Sequence, residues 1–534
     1  MNRKPHAFHL EIQTHRKNPY GLLRRSYRED GKVKKETIGR LTGLSIEQLR
    51  AMQDAIQGRT IPKDEFKIIA SREYGASAAC VALMRKLNLH TAISSKHTEE
   101  WVRCCLAMIA GRLVYAGSKL SLSHCSSYSA LWEACGIEGP IDVDLHCYSP
   151  MDKLLDQQGA IQKKLAQKHL SGGTVVLYDI TSSYMEGEYK NSELVEFGYN
   201  RDKKRGHEQI VIALLCAKDG CPVAVEIFKG NTKDGTTVLD KIDEIRKKYG
   251  LEKVIFVGDR GMMTQVQYEQ LDHKAVNVIS ALSHGAIRSL LDKKTIQLSM
   301  FDEKNVVEVI EGDMRYCLCK NPDMAIKERV ERNALLDKTK AALDKIVNST
   351  RKTKNSKEIR AGKVVDKYNA GKFFTFIGSG NDLKYMVDEG KVEKESGLDG
   401  CYIIYTDVSA QDMTAVETVE NYKSLIRVEQ AFRNMKTVRL EIRPVYHKTD
   451  ERIRCHVFIC MLAYYVMWHM NQRLAPLYQN DGVGKKRKYT FDYIMEMLKS
   501  IRKETVEING STSGIVTTPT TEQKRILALL EVEV

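Results

Sequence analysis

Apolar and polar positions divide the chain into stretches of two different periods. From 174 to 282 the apolar residues come in short runs that read as strands: Val175 to Tyr178, the stretch QIVIALLCA, the stretch PVAVEIF, Val254 to Val257, and Ala275 to Ala281. Lys218, Asp219 and Gly220 predict a hairpin turn between the second run and the third. The helical segment TTVLDKIDEIRKKYG separates the third run from the fourth, and a second helix is expected around Met263 to Leu271. The predicted order is β-β-β-α-β-α-β.

Two of these runs lead into an aspartate. TVVLYDITSSY breaks at Asp179 into threonine and serine, and KVIFVGDRGM passes through Gly258 to Asp259, Arg260 and Gly261. Alone, either is a common turn or helix-cap signal that satisfies backbone donors. Three hairpin-linked strands followed by α-β units, however, are the element order of an RNase H-like sheet, in which the first and fourth strands are neighbours. That order would bring Asp179 and Asp259 to one sheet edge, within reach of one metal ion.

The flanking regions differ in pattern. Residues 1–70 predict a hairpin, YGLLRRSYRED and KVKKETIGRL around Gly31, made basic by Arg24, Arg25, Arg28, Lys32, Lys34, Lys35 and Arg40. It reads either as a DNA-end-binding module or as an edge hairpin blunted by charge. A helix follows from a Ser45 capping box, with Leu44, Leu49, Met52 and Ile56 near one face. Residues 71–172 predict a helical bundle for DNA binding or dimerisation, and 173–282 the first part of the α/β catalytic core.

Residues 283–410 predict a β-containing insertion with its own small core, with strands at VVEVIEG, MRYCLCK, KFFTFIG and GCYIIYTD. Its basic helix reads either as phosphate-binding or as a solvated face, since Glu328, Glu331, Asp337 and Asp344 are interleaved.

Residues 411–475 predict the last part of the core. TAVETVENYKSLIRVEQAFRNMKTV reads as one helix with Tyr422, Leu425, Ile426, Glu429, Phe432, Arg433 and Lys436 on one face. Glu429 would then lie on a largely apolar side, either as a ligand or ion-paired with Arg433. The apolar helix VFICMLAYYVMW is expected to pack on the sheet, and 476–534 reads as a weakly patterned tail behind the basic patch GKKRK.

Composition narrows the classes. A chain of 534 residues is too long for a single core, and 43% apolar with 28% charged residues is globular. The net charge of +14 favours a polyanion, nucleic acid before membrane. Thirteen cysteines without a CxxC spacing read as buried, reduced thiols of a cytoplasmic protein. No export signal is expected, and the run Val457 to Trp468 falls short of the roughly 20 residues that span a bilayer.

Two strand-end aspartates and a helix-borne glutamate are the residue types that hold two hard divalent cations. VVLYDITSSY, GNTKDGTT, VGDRGM, YKSLIRVEQAFRNMK and RPVYHKTDERIRCHVF occur in this order. Together they resemble the DDE transposases of bacterial insertion sequences, within the IS-four superfamily and nearest its sixteen-thirty-four branch. The resemblance implies Asp179, Asp259 and Glu429 as catalytic acids and metal ligands, with two Mg²⁺ ions for which Mn²⁺ substitutes.

It also implies a Tyr-Arg-Glu-Lys signature, onto which Tyr422, Glu429 and Lys436 map. Leu425 stands where the signature has arginine, and Arg427 and Arg433 are the nearest bases. Lys436, Tyr422, Arg433 and Arg260 are the expected DNA contacts, with His207 and the NRDKKR loop ranked below the acids. The implied activity is binding of terminal inverted repeats, strand cleavage and transfer of the 3′-end into target DNA. A homodimer acting beside the prokaryotic nucleoid is implied as well. The alternatives are a DNA-binding relic that no longer cuts and an RNase H-like nuclease that does not join.

Overall fold

β-branched and aromatic runs build the sheets of this protein, and the partners of those runs are often far away in sequence. The computed structural model describes residues 8–14, 18–29, 32–58, 66–170, 174–199, 206–232, 247, 249–250, 253–260, 268, 275–349, 356–479, 487–508 and 511–534. The chain forms two units, Met1–Gln157 with Phe458–Val534, and Gln158–Val457.

The first unit opens with a three-stranded antiparallel sheet, β1 (Phe8–Gln13), β2 (Tyr20–Glu29) and β3 (Lys32–Thr42). The predicted hairpin is β2–β3, with Glu29 opposite Lys32; its turn, Asp30 and Gly31, lies outside the described residues. β1 was not predicted. The predicted cap is present: the Ser45 side chain accepts from the Gln48 amide, and the Gln48 side chain accepts from the Ser45 amide. The helix it starts, Ile46–Ile56, sits close on the sheet because residue 21 is glycine. A Cβ there would stand 2.9 Å from both Leu10 and Leu49.

Helices Gly75–Lys86 and Glu100–Val114 lead the predicted bundle. The expected unpatterned tail is instead folded. Its strand Arg502–Ile508 pairs with β4 (Phe66–Glu73), Arg502 opposite Glu73, and with Ser511–Val516 on its other side. One strand of that small sheet lies in the first 75 residues and the other two in the last 35, so no local pattern announces it. The apolar helix is also longer than expected, Asp450–Gln479. From Phe458 it belongs to this first unit rather than to the one that holds Asp179 and Asp259. It is long and apolar enough to cross a membrane, but 83% of its most apolar window is buried in the protein, as in a core helix.

The second unit is built on an eight-stranded mixed sheet in the order β10-β11-β14-β9-β8-β5-β6-β7. The strands are β5 (Thr174–Tyr184), β6 (Gln209–Ala217), β7 (Pro222–Lys229), β8 (Val254–Val257), β9 (Val276–Ala281), β10 (Val307–Glu311), β11 (Met314–Lys320) and β14 (Cys401–Thr406). β6, β8 and β9 are buried throughout, which their Val/Ile/Leu runs require. β5, β8 and β9 are parallel, so the first and fourth strands of this region are neighbours as predicted. Most residues of the two intervening predicted helices lie outside the described residues.

The stretch 283–410 is not separate from this sheet. β14 pairs antiparallel with β9, Thr406 opposite Ile279, and β11 and β10 continue outward. The stretch holds two buried clusters: Ile287, Leu290, Phe301, Leu318, Leu398 and Ile403 pack beside β11 and β14, and in the far part Leu336, Leu343, Ala361, Val365, Phe373 and Leu383 join the helices Pro322–Val347 and Lys357–Lys367 to a hairpin of β12 (Phe374–Ile377) and β13 (Lys384–Val387). Arg332 of the long helix grips Asp399 with both guanidinium nitrogens, at 2.5 and 2.6 Å, just before β14. The acids of that helix are partly structural: Glu328 accepts the Gly400 amide, and Asp344 accepts the Tyr385 hydroxyl.

Candidate functional site

The two aspartates meet because β5 and β8 run side by side in register. Leu177 lies opposite Val257, where the pairing stops, and each aspartate follows two residues later. Neighbouring strands are about 4.8 Å apart. Asp179 does not end its strand as expected: β5 continues to Tyr184 because β6 goes on pairing with it, Asp179 opposite Leu214 and Ser183 opposite Ile210. What ends at Asp179 is the parallel neighbour, which opens one side of the strand.

Asp179 is half-buried and Asp259 exposed. Each carboxylate accepts the next residue's amide, Ile180 at 2.7 Å and Arg260 at 2.6 Å. From β9 the Ser280 hydroxyl donates to the Asp259 carbonyl at 3.2 Å and holds the loop against the sheet.

β14 leads into the segment that carries the third acid, which is two helices rather than one: Ala415–Lys423, opened by a Thr414 capping box, and Ile426–Arg433. At the break the backbone ladder tightens. Ser424 Oγ bonds back to the Glu420 carbonyl at 3.0 Å, and the amides of Leu425, Arg427 and Val428 each reach back only three residues. The buried face is narrower than expected. Leu425, Val428, Phe432 and Lys436 are buried, whereas Ile426, Glu429 and Arg433 are exposed, so Glu429 is not on an apolar side.

Tyr422 comes from the first of these helices, and its hydroxyl donates to Asp259 Oδ1 at 3.2 Å. Burial first, then the Asp259 charge and its hydrogen bond, push the phenol above the ordinary tyrosine range; Glu429 adds to this and Arg260 opposes it. The tyrosine stays protonated and donates.

The basic residues separate into distinct roles. Arg427 turns away from the acids and donates to the Lys218 carbonyl in the β6–β7 turn. Leu425 is 7% exposed, a site packed for an apolar side chain rather than an arginine. Arg260 and Arg433 are exposed, and Lys436 is buried in a π turn, Asn434–Val438, with its Nζ on Thr181 Oγ1 at 2.6 Å. His207 is half-buried and packs its ring at a tilt of 60° against Tyr184, with ring centroids 5.6 Å apart. Asn200–Arg205 lie outside the described residues. Sequence reading missed Thr181 and Ser280. The only signal for Thr181 was its position two residues after Asp179, on the same strand face.

Residues 170–466 match the family model described as transposase DDE domain, and residues 10–71 match the N-terminal domain of IS1634 family transposases. No curated protein matches the chain. Among solved structures, piggyBac transposase in a synaptic complex with hairpin DNA is similar at a TM-score of 0.37 and 7% identity, over 80% of this chain and 79% of that one. The DDE match covers more than half of the chain and contains Asp179, Asp259 and Glu429. The protein belongs to the DDE transposases, of the IS1634 type.

Proposed function

We propose that this transposase binds the terminal inverted repeats of its element, cuts DNA strands there, and joins the freed 3′-ends to target DNA, with Asp179, Asp259 and Glu429 as the acids of an RNase H-like core. The observation that carries the reading is that the two aspartates each stand two residues past the last pair, Leu177 opposite Val257, of adjoining parallel strands. Tyr422, whose hydroxyl bonds Asp259, stands seven residues before Glu429 in the same two-helix segment, which brings that segment to the aspartate.

The donor set suits hard cations: carboxylates from three chain segments, two of them exposed, with oxygen the only ligand atom offered. Mg²⁺ or Mn²⁺ held by these acids would supply charge neutralisation and an activated water or 3′-hydroxyl. The chain's own residues orient the rest. Tyr422 fixes the Asp259 carboxylate and stays protonated. Lys436, Arg260 and Arg433 hold phosphate oxygens. The basic N-terminal sheet grips the element end, and a second copy brings the other end. Such work is done on DNA inside a prokaryotic cell.

The test is incubation of labelled element-end DNA with the protein and Mg²⁺ or Mn²⁺. Cutting and joining supports the reading. Binding without cutting points to a DNA-binding relic, and hydrolysis without joining to a nuclease.

Tyr422→Phe is expected to slow cleavage about five- to tenfold at saturating DNA, the effect of one lost hydrogen bond to a charged group. An unchanged rate would remove the tyrosine from the site.

A further inference from the structure

Lys436 is 8% exposed, and an ammonium at that depth needs oxygen atoms around it, since it has three donors and no acceptor. Thr181 Oγ1 is one such oxygen, 2.6 Å away and supplied by a different segment of the unit. Thr181 stands two residues beyond Asp179 on β5, and so on the same face of the strand, opposite Ile212 of β6. Its β-branched side chain has little rotameric freedom, and the β6 ladder fixes its backbone. The oxygen therefore has a set position relative to Asp179. Lys436, by contrast, has a long flexible stem and leaves its helix from a π turn, a geometry that recurs at functional sites.

We propose that Thr181 is a positioning residue: its hydroxyl fixes the Lys436 ammonium beside Asp179, where that ammonium takes an oxygen of the phosphate being cut. This rests on the reading of Asp179 as part of the reaction centre. Ordering the lysine before DNA arrives removes that ordering cost from the reacting complex. Threonine rather than valine is required at a site that otherwise suits any β-branched residue.

The experiment compares wild type, Thr181→Val, Thr181→Ser, Lys436→Met and the Thr181→Val/Lys436→Met double variant. It measures cleavage of labelled element-end duplex at saturating protein, duplex affinity, and the thermal midpoint. Valine keeps the shape and removes the oxygen, so Thr181→Val should lose about tenfold in the cleavage rate while affinity stays within about twofold. Thr181→Ser should restore most of the rate. In the Lys436→Met background the valine should cost nothing further, because the pair acts as one unit.

The proposal is overturned if Thr181→Val cuts at the wild-type rate, if serine does no better than valine, or if the two losses multiply. A merely structural role would lower the midpoint without this coupling to Lys436. If wild type itself does not cut, the reading of the whole site fails, and the proposal with it. If wild type cuts and Thr181→Val cuts equally well, the proposal alone fails.

Discussion

Asp259→Asn is expected to fold, bind element-end DNA as wild type does, and lose cutting and joining together, on the order of 10³-fold or more. Its geometry makes this a clean substitution. Asp259 is exposed, so loss of its charge leaves no cavity. The carboxylate oxygen that accepts the Arg260 amide and the Tyr422 hydroxyl has a counterpart in the asparagine side-chain carbonyl. What disappears is the negative charge that a cation needs. Asp179→Asn should behave alike, its oxygen still accepting the Ile180 amide. The measurement is release of labelled strand and joined product in Mg²⁺ at matched DNA occupancy. Full activity in Asp259→Asn would mean that the acids are misassigned.

The largest expected effect on stability lies elsewhere, at Arg332 and Asp399. Their side chains are 9% and 5% exposed, and the pair is bidentate. The Asp399 carboxylate, through its hydrogen bonds, holds Arg332 even more firmly protonated than usual. Removing one partner leaves the other charge buried and uncompensated, which costs about 3–5 kcal/mol. Asp399→Ala should therefore lower the first unfolding transition in urea by that amount. Arg332→Met/Asp399→Leu should recover much of the loss, because both charges then leave together. A single-variant loss under about 1 kcal/mol would show that water reaches the pair freely. A chain of two units need not unfold in one step, so the transition should be followed by proteolysis within 321–400 as well as by spectroscopy.

Residue order alone revealed the parts of this molecule that are local. Short Val/Ile/Phe runs ending near Asp179 and Asp259 are visible as strings, and the strand order made them neighbours. The Ser45 cap and the β2–β3 hairpin were readable for the same reason. Tertiary pairing was not. Nothing in the string GCYIIYTD says that β14 will pair with β9, or that Arg502–Ile508 will find β4 near the other end of the chain. Helical periodicity also misplaced Glu429: the buried stripe runs through Asn421, Leu425, Val428 and Phe432, and Glu429 lies one position outside it, a boundary that spacing alone does not draw. Lys436 was expected to contact phosphate from the same face as Glu429. Its burial depends on Thr181, which becomes visible only when the strand and the π turn lie together.

The amide of Asn321 bonds the carbonyl of Gly400 at 2.8 Å, so the far part of the 283–410 stretch leaves and re-enters the sheet through a single doorway. Its entry and exit nearly touch, and it carries a core of its own. This is the anatomy of a splice point: a foreign domain with adjacent termini could replace residues 322–399 while β11 and β14 stay in the sheet. β14 would still feed the segment that carries Tyr422 and Glu429. The same swap made at 283–410 would take three strands away with it.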